Sequence, residues 1–99
     1  MTVDKILIEA ILTVDIFCRW EAEPQAYRIY IDDELLTERT YIWRNSDQFI
    51  RENIVISVEP GDHQFKLEPV DANFAGFQWQ NFTVDHQPTA TDCGRFILN

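Results

Sequence analysis

The chain has 99 residues, with 17 acidic against 8 basic side chains and a formal net charge of −9 at pH 7. This length suits one compact domain and excludes a two-domain enzyme. Because 45% of the residues are hydrophobic and 13% are aromatic, the chain can bury a core, which a disordered acidic tail cannot do. The shortage of Lys and Arg argues against nucleic acid and anionic membranes as partners, since phosphate binding depends on clustered cations.

The sequence begins without the pattern of a signal peptide and contains no apolar run long enough to span a bilayer. We therefore expect a cytoplasmic or virion-associated protein. The two cysteines, Cys18 and Cys93, lie near opposite ends of the chain and lack CxxC spacing. This arrangement favours free, buried thiols, and a disulfide that ties the terminal strands together stays an alternative.

Apolar and polar residues alternate over residues 5–17, because the even positions from 6 to 16 are all apolar. A period of two predicts a long strand with one buried face. Residues 26–31 alternate again and predict a second strand. Asp32-Asp33-Glu34 then predicts a tight acidic turn, and residues 35–43 return as a third strand, so that the second and third strands form a hairpin.

The middle of the chain predicts two strands joined by a sharp turn. Residues 49–58 carry aliphatic side chains on one face, which Glu52 interrupts. Glu59-Pro60-Gly61-Asp62 predicts a type II turn, because Pro presets φ at the second position and Gly supplies a positive φ at the third. We expect the strands on either side of this turn, the second being residues 63–69, to pair antiparallel in a fixed register.

Two further strands complete the series. Residues 77–86 predict a strand whose buried face the pattern does not choose, and residues 95–98 predict a short last strand. About seven strands, with turn signals at intervals of roughly 8–12 residues, are typical of an all-β sandwich. We therefore predict a single-domain antiparallel β-sandwich over residues 1–99, of the jelly-roll or Ig-like Greek-key kind.

The residue inventory does not predict an enzyme. His63 and His86 are the candidate bases, and neither cysteine lies in a nucleophile motif, so we expect no catalytic residues. No cofactor is predicted, although calcium stays open as a ligand of loop oxygens. Its candidate metal ligands are Asp71, Asn73 and Asp85, for which ordinary turn chemistry is the alternative.

The aromatic residues are the most suggestive feature of the sequence. Several of them fall in loops or opposite the aliphatic face of a strand, where an exposed ring calls for a covering ligand. A sugar suits such a surface, since its C–H face stacks on rings while neighbouring amides bond its hydroxyls. The candidate ligand-binding residues are Tyr30, Tyr41, Trp43 and Trp79. The alternative is that these rings fill the core or bury a subunit interface.

The run AYRIYIDDELLTERTYIW, followed by ENIVISVEPGDHQFKLEPV and FQWQNFTVDH, resembles the central part of small β-sandwich carbohydrate-binding modules, particularly the calcium-dependent xylan-binding type. The resemblance spans residues 26–86 and implies that loop acids near the last strands hold calcium and sugar, where Asp71, Asn73 and Asp85 fall. The chain lacks the Asn-Asp pair that follows the penultimate strand in that family. It also resembles small free-standing β-sandwich proteins of tailed bacteriophages, which implies a virion-associated or accessory role.

Three functions follow from these patterns. The first is a non-catalytic module that recognises carbohydrate through exposed aromatic residues. The second is a phage-type structural or assembly protein whose aromatic face meets another protein or its own copy in a homo-oligomer. The third is an acidic inhibitor that imitates nucleic acid towards a basic partner, a role that net charge alone does not establish.

Overall fold

The structure, a computed structural model, describes residues 6–43, 48–88 and 93–98. These residues form eight β-strands. The strands are β1 (Ile8–Cys18), β2 (Gln25–Ile31), β3 (Glu34–Tyr41), β4 (Ile50–Val58), β5 (Gly61–Pro69), β6 (Phe77–Val84), β7 (Gln87–Pro88) and β8 (Arg95–Leu98). Within the described part of the chain, no helix is long and apolar enough to cross a membrane.

The strands form two antiparallel sheets of four. Sheet I has the order β4-β1-β6-β7, and sheet II has the order β3-β2-β5-β8. The chain changes sheet between β1 and β2, between β3 and β4, at both ends of β5, and between β7 and β8, so that consecutive strands often lie in opposite sheets. The predicted all-β sandwich is confirmed.

The predicted hairpin between β2 and β3 is also confirmed. Ile31 pairs with Glu34, which leaves Asp32 and Asp33 as a two-residue turn. Both turn residues have positive φ, 52° and 67°. This is the geometry of a type I′ turn, which matches the twist of paired strands and which Asp tolerates better than most residues.

The predicted pairing of the strands around Pro60 and Gly61 is wrong. Gly61 has the expected positive φ, 124°, but β4 pairs with β1 while β5 pairs with β2 and β8. The turn residues dictate that the chain reverses, and they do not dictate in which sheet it continues. Ile56 of β4 and Phe65 of β5 are both buried, and they enter the core from opposite sheets.

The predicted inner face of β1 forms the centre of the core. Its even-numbered residues from Ala10 to Cys18 are buried, and they pack with Tyr27, Ile29 and Phe65 from sheet II. The strand begins at Ile8, where pairing with Val58 of β4 begins, and Ile6 before it is exposed. Residue 5, where the predicted alternation starts, lies outside the described residues. Both cysteines are free, as predicted, although Cys93 is exposed and not buried. Burial raises the pKa of the Cys18 thiol to about 11.

Glu52 lies on the inner face of β4, as the sequence predicts, and it is buried between the sheets. The Tyr27 hydroxyl donates a hydrogen bond to its Oε2 over 3.0 Å, and the Arg39 guanidinium contacts both carboxylate oxygens at 3.0–3.1 Å. These partners replace the water that a buried carboxylate loses. Burial, together with the adjacent Glu52 charge, raises the pKa of Tyr27.

A β-bulge in β6 explains why the sequence pattern does not choose its buried face. The register between β1 and β6 shifts between Thr13 and Asp15, and Asn81 takes a positive φ of 56°. Before the bulge Phe77 and Trp79 pack against the core, whereas after it the even positions Phe82 and Val84 are buried. Side chains alternate between the two faces with a period of two, so one extra residue reverses which positions, odd or even, face the core after it.

Candidate functional site

The outer face of sheet I carries a band of polar side chains centred on β1. Because the even positions of β1 face the core, its odd positions face outward. Cross-strand neighbours on β4 and β6 extend this row on both sides, and Phe49, just before β4, contacts Phe17 at one end. We call the band the outer strip, and its members are Thr13, Asp15, Phe17, Phe49, Arg51, Asn53, Gln78, Gln80, Asn81 and Thr83.

Asp15 lies at the centre of the outer strip and is only 2% exposed although it points away from the core. Arg51 binds its carboxylate through two nitrogens, with Nε 2.8 Å from Oδ1 and Nη2 3.2 Å from Oδ2. Asn81 donates a third hydrogen bond, from Nδ2 to Oδ2 over 2.9 Å. The hydrogen bond from Arg51 outweighs burial and, with Asn81, lowers the pKa of Asp15, so the carboxylate stays ionised.

The bulge in β6 places Asn81 where it can reach Asp15. A regular strand would turn residue 81 towards the core, as it turns Phe77 and Trp79. The left-handed conformation at φ 56° breaks this alternation, and Asn adopts that conformation more readily than most residues. Backbone geometry therefore fixes a side-chain amide beside the buried carboxylate, as bulges commonly do near functional sites.

Two hollows open on the outer strip, one on each side of Asp15. The larger has a volume of about 490 Å³ and is lined by residues that include Phe17, Gln78 and Gln80. The smaller has about 250 Å³ and is lined by Thr13, Arg51, Asn81, Thr83 and His86. The larger hollow falls within the size range of small-molecule sites.

An aromatic pair closes one end of the outer strip. The rings of Phe17 and Phe49 lie with centroids 5.3 Å apart at 38°, and Phe49 is 43% exposed. The Arg51 guanidinium carbon lies 5.6 Å from the Phe49 ring centroid. At the other end of the strip, Thr13 donates a hydrogen bond from Oγ1 to Asn53 Oδ1 over 2.9 Å. The strip thus combines one apolar platform with hydroxyl and amide groups held in place.

The outer face of sheet II differs, because its ion pairs are exposed, whereas the Asp15 carboxylate in the outer strip is buried. Arg28 contacts Glu38 at 2.6 Å, and the Lys66 ammonium contacts Glu68 at 3.2 Å and Asp33 at 3.1 Å. Exposed ion pairs of this kind are typical of a solvated face.

Two of the four predicted ligand-binding aromatic residues belong to the core. The prediction that Tyr41 presents its ring at the surface is wrong, because the residue is fully buried and its hydroxyl donates to the Gln48 carbonyl oxygen over 2.6 Å. Trp79 is half-buried, and its ring meets the buried Phe65 ring edge-on with centroids 5.1 Å apart. The physical reason is that the space between the sheets takes up more rings than the sequence pattern indicates.

The other two predicted aromatic residues lie on different surfaces. Tyr30 is half-buried on the outer face of sheet II, where the Lys66 ammonium lies 5.1 Å from its ring centroid. Trp43 follows β3 and is 42% exposed, and its carbonyl oxygen accepts a hydrogen bond from the Trp20 indole over 2.9 Å. The four predicted residues therefore do not form one aromatic surface.

The three predicted metal ligands do not meet either. Asp71 and Asn73 precede β6 and Asp85 follows it, so that eight strand residues, about 25 Å of extended chain, separate them. The Asp71 carboxylate accepts the Asn73 backbone N–H at 3.0 Å, and the Asp85 carboxylate accepts the Ile11 backbone N–H at 2.8 Å. Within residues 6–43, 48–88 and 93–98, no cluster of three His, Cys, Asp or Glu side chains could hold a metal.

The two candidate bases also lie apart. His63 bridges two turns, with Nδ1 2.5 Å from Asp32 Oδ2 and Nε2 2.6 Å from the Glu59 carbonyl oxygen. His86 lies after β6 in a two-residue turn with Asp85 and lines the smaller hollow. The structure therefore gives His63 a role in holding turns together, and it places His86 at the margin of the outer strip.

Sequence reasoning missed the centre of the outer strip. Asp15 interrupts the longest hydrophobic segment, and an acid at an odd position of that strand was a signal for a polar outer face. Its partners Arg51 and Asn81 come from strands whose pairing the sequence does not reveal. No protein-family model matches the chain, and searches of curated proteins and of solved structures likewise found no match.

Proposed function

We propose that the protein is a non-catalytic binding module that takes a carbohydrate chain on the outer strip. The observation that carries the proposal is the hydrogen-bonded network of Asp15, Arg51 and Asn81, surrounded by hydroxyl and amide side chains on one face. This differs from the aromatic site that the sequence predicts, although the class of ligand is the same.

The chemistry of the outer strip matches that of sugar hydroxyls, which both donate and accept hydrogen bonds. Gln78, Gln80 and Asn53 carry amides, each with donors and an acceptor, and all three are exposed. Arg51 and Asp15 hold each other in a fixed geometry, so little side-chain freedom is lost when a ligand binds. The exposed amides supply the hydrogen bonds, and the ion pair keeps the floor of the site rigid.

The aromatic pair supplies the apolar contact that a sugar ring needs. Phe49 is 43% exposed beside the half-buried Phe17, so apolar ring surface is accessible at the end of the strip. From Thr13 to Phe17 the strip follows about 14 Å of β1, and the hollows extend it to both sides. An extended chain of several sugar units suits this length better than a single sugar does.

The same geometry argues against glycoside hydrolysis at this site. That reaction requires a carboxylic acid that is protonated near neutral pH, together with a second carboxylate at a set distance. The carboxyl group at the centre of the strip has a lowered pKa and a bidentate partner. Asp15 is therefore suited to orient Arg51 and Asn81 and not to donate a proton.

A glycan array with variants of exposed residues tests the proposal. We expect wild-type protein to bind at least one class of polysaccharide, and Gln78→Ala, Gln80→Ala and Phe49→Ala each to lower the affinity about tenfold, a loss of about 1.4 kcal/mol. Trp43→Ala is the matched control, because Trp43 is exposed to a similar degree but lies outside the strip. Circular dichroism establishes that each variant is folded.

Two results would contradict the proposal. The first is no binding of the folded wild-type protein to any glycan on the array. The second is binding that Trp43→Ala abolishes and the outer-strip variants leave unchanged, which would return the site to the aromatic residue that the sequence predicts.

A further inference from the structure

Within residues 6–43, 48–88 and 93–98, most of the outer edge of β6 has no strand beside it. β7 pairs with β6 only at Thr83 and Val84. No strand in the described part of the chain pairs with residues 77–81 on that side. An open edge presents a row of backbone hydrogen-bonding groups, and what satisfies such a row best is another strand.

The register with β1 shows which groups face the open side. The Arg19 N–H donates to the Gly76 carbonyl oxygen over 3.1 Å, so residue 76 is bonded towards β1. Since bonded and non-bonded positions alternate in an antiparallel ladder, the backbone groups of Gln78 and Gln80 also face β1. The N–H and C=O groups of Phe77 and Trp79 then face the open edge, while their side chains pack against the core.

The composition of β6 is unusual for this chain. Among the six strands of seven or more residues, β6 is the one without Asp, Glu, Lys or Arg. The opposite edge of sheet I, β4, carries Arg51 and the inward-pointing Glu52, and the edge strand β3 carries three charged residues. Charged side chains on an edge oppose pairing with another strand. The two edges β3 and β4 are thus protected, and β6 is not.

We propose that β6 pairs antiparallel with β6 of a second copy of this chain. In such an interface, β6 of one copy lies beside β6 of the other copy, related by a two-fold axis. With this axis at Trp79, Gln78 of one copy lies opposite Gln80 of the other. A charged residue near the axis would meet a like charge, which destabilises a strand pair. In a chain of net charge −9, an uncharged strand is what a self-interface needs, whereas recognition of a basic partner would use the acids found elsewhere.

The dimer goes beyond the proposed function and does not depend on it. It joins the two copies of sheet I into one continuous sheet, with the order β4-β1-β6-β6-β1-β4. Both outer strips then lie on the same face, because neighbouring strands of one sheet share their faces. Two sites held side by side on one face could engage the same extended ligand.

Physical considerations set the expected strength. Pairing over five residues buries less surface than a standard stable interface does, so we expect a weak dimer. The two copies repel each other through their net charges of −9, and salt screens this repulsion over about 10 Å at 0.1 M. Unlike an interface between opposite charges, this dimer becomes stronger as the salt concentration rises.

Sedimentation of the full chain over a range of concentrations tests the inference. We expect the dimer fraction to rise between about 10 μM and about 1 mM, and to be larger in high salt than in low salt. Gln80→Lys places a like charge on each side of the axis and should weaken the dimer at least tenfold. Ser57→Lys is the matched control, because Ser57 is exposed on the other edge strand of the same sheet.

Three outcomes would overturn the inference. They are a wild-type chain that stays monomeric at the highest concentration in high salt, a dimer that Gln80→Lys leaves unchanged, and a dimer that Ser57→Lys weakens as much as Gln80→Lys does. Circular dichroism establishes that Gln80→Lys is folded, and Gln78→Lys repeats the test at the facing position. A dimer in a protein that binds no glycan would overturn the proposed function alone.

Discussion

Asn81 combines a strained backbone with a hydrogen bond to a buried carboxylate, and two substitutions separate these contributions. Asn81→Gly keeps the left-handed backbone without strain and removes the hydrogen bond to Asp15. Hydrogen bonds to charged groups contribute about 1.5–3 kcal/mol, and we take about 1.5 kcal/mol because Asn81 is exposed. Asn81→Ala loses the same hydrogen bond and adds about 1–2 kcal/mol, because Cβ disfavours the left-handed conformation.

Urea unfolding measures both losses. We expect the free energy of unfolding to fall by about 1.5 kcal/mol for Asn81→Gly and by about 3 kcal/mol for Asn81→Ala, with unchanged m-values. In a domain of this size the first loss corresponds to a melting temperature lower by about 6–12 °C. Asn73→Ala is the control, because Asn73 is exposed and only its backbone N–H is used, so we expect a change below about 0.5 kcal/mol.

The order of the two variants decides whether this reasoning holds. If Asn81→Ala were as stable as Asn81→Gly, residue 81 would not hold the left-handed conformation in solution, and the bulge that positions the outer strip would be absent. If both variants were as stable as wild type, Asn81 would not contribute to holding the Asp15 carboxylate.

The remaining predictions concern His63 and the two cysteines. Burial of His63 by itself lowers its pKa, but the contacts with Asp32 and the Glu59 carbonyl oxygen, with the Asp62 charge nearby, outweigh burial and raise it. The stabilisation from His63 is therefore fully present below the usual pKa of about 6.5, and it is lost as the pH rises through the raised pKa. The difference in melting temperature between wild type and His63→Gln should consequently be larger at pH 5.5 than at pH 9. A difference that is the same at both pH values would contradict the assigned ion pair. Cys93 is exposed, so it should react rapidly with a thiol reagent in the native protein, whereas the buried Cys18, whose pKa is raised to about 11, should react only on unfolding. Equal reaction rates for the two native thiols would contradict this placement.

The sequence predicts individual strands well because alternation is a local property. The apolar even positions of β1 are buried as expected, and the turn at Asp32 and Asp33 joins β2 to β3. Pairing between strands is not local. The turn at Pro60 and Gly61 reverses the chain, yet β5 continues in the other sheet, where β2 and β8 are its neighbours. Which sheet a strand joins depends on how all the strands share the core, and no short segment encodes that.

The candidate site was less predictable than the fold, because exposure is a tertiary property. Tyr41 and Trp79 carry large apolar rings that the core takes up, and their sequence positions alone do not distinguish them from the exposed Trp43. Asp15 shows the converse. It looks like an interruption of a hydrophobic strand, but Arg51 lies directly opposite on β4 and makes its burial favourable. The identity of a buried acid's partner cannot be inferred before the strand order is known.

The bulge at Asn81 connects the ambiguity of the sequence with both proposals. Because of the extra residue, the sequence of β6 does not show a simple alternation. Phe77 and Trp79 face the core before the bulge, and Phe82 faces the core after it. It also turns an amide towards Asp15, and it ends the regular part of the edge before β7 begins to pair at Thr83. A regular β6 could bury the odd or the even positions but not both. The position at which the pattern fails is therefore the position that shapes the binding face and limits the open edge.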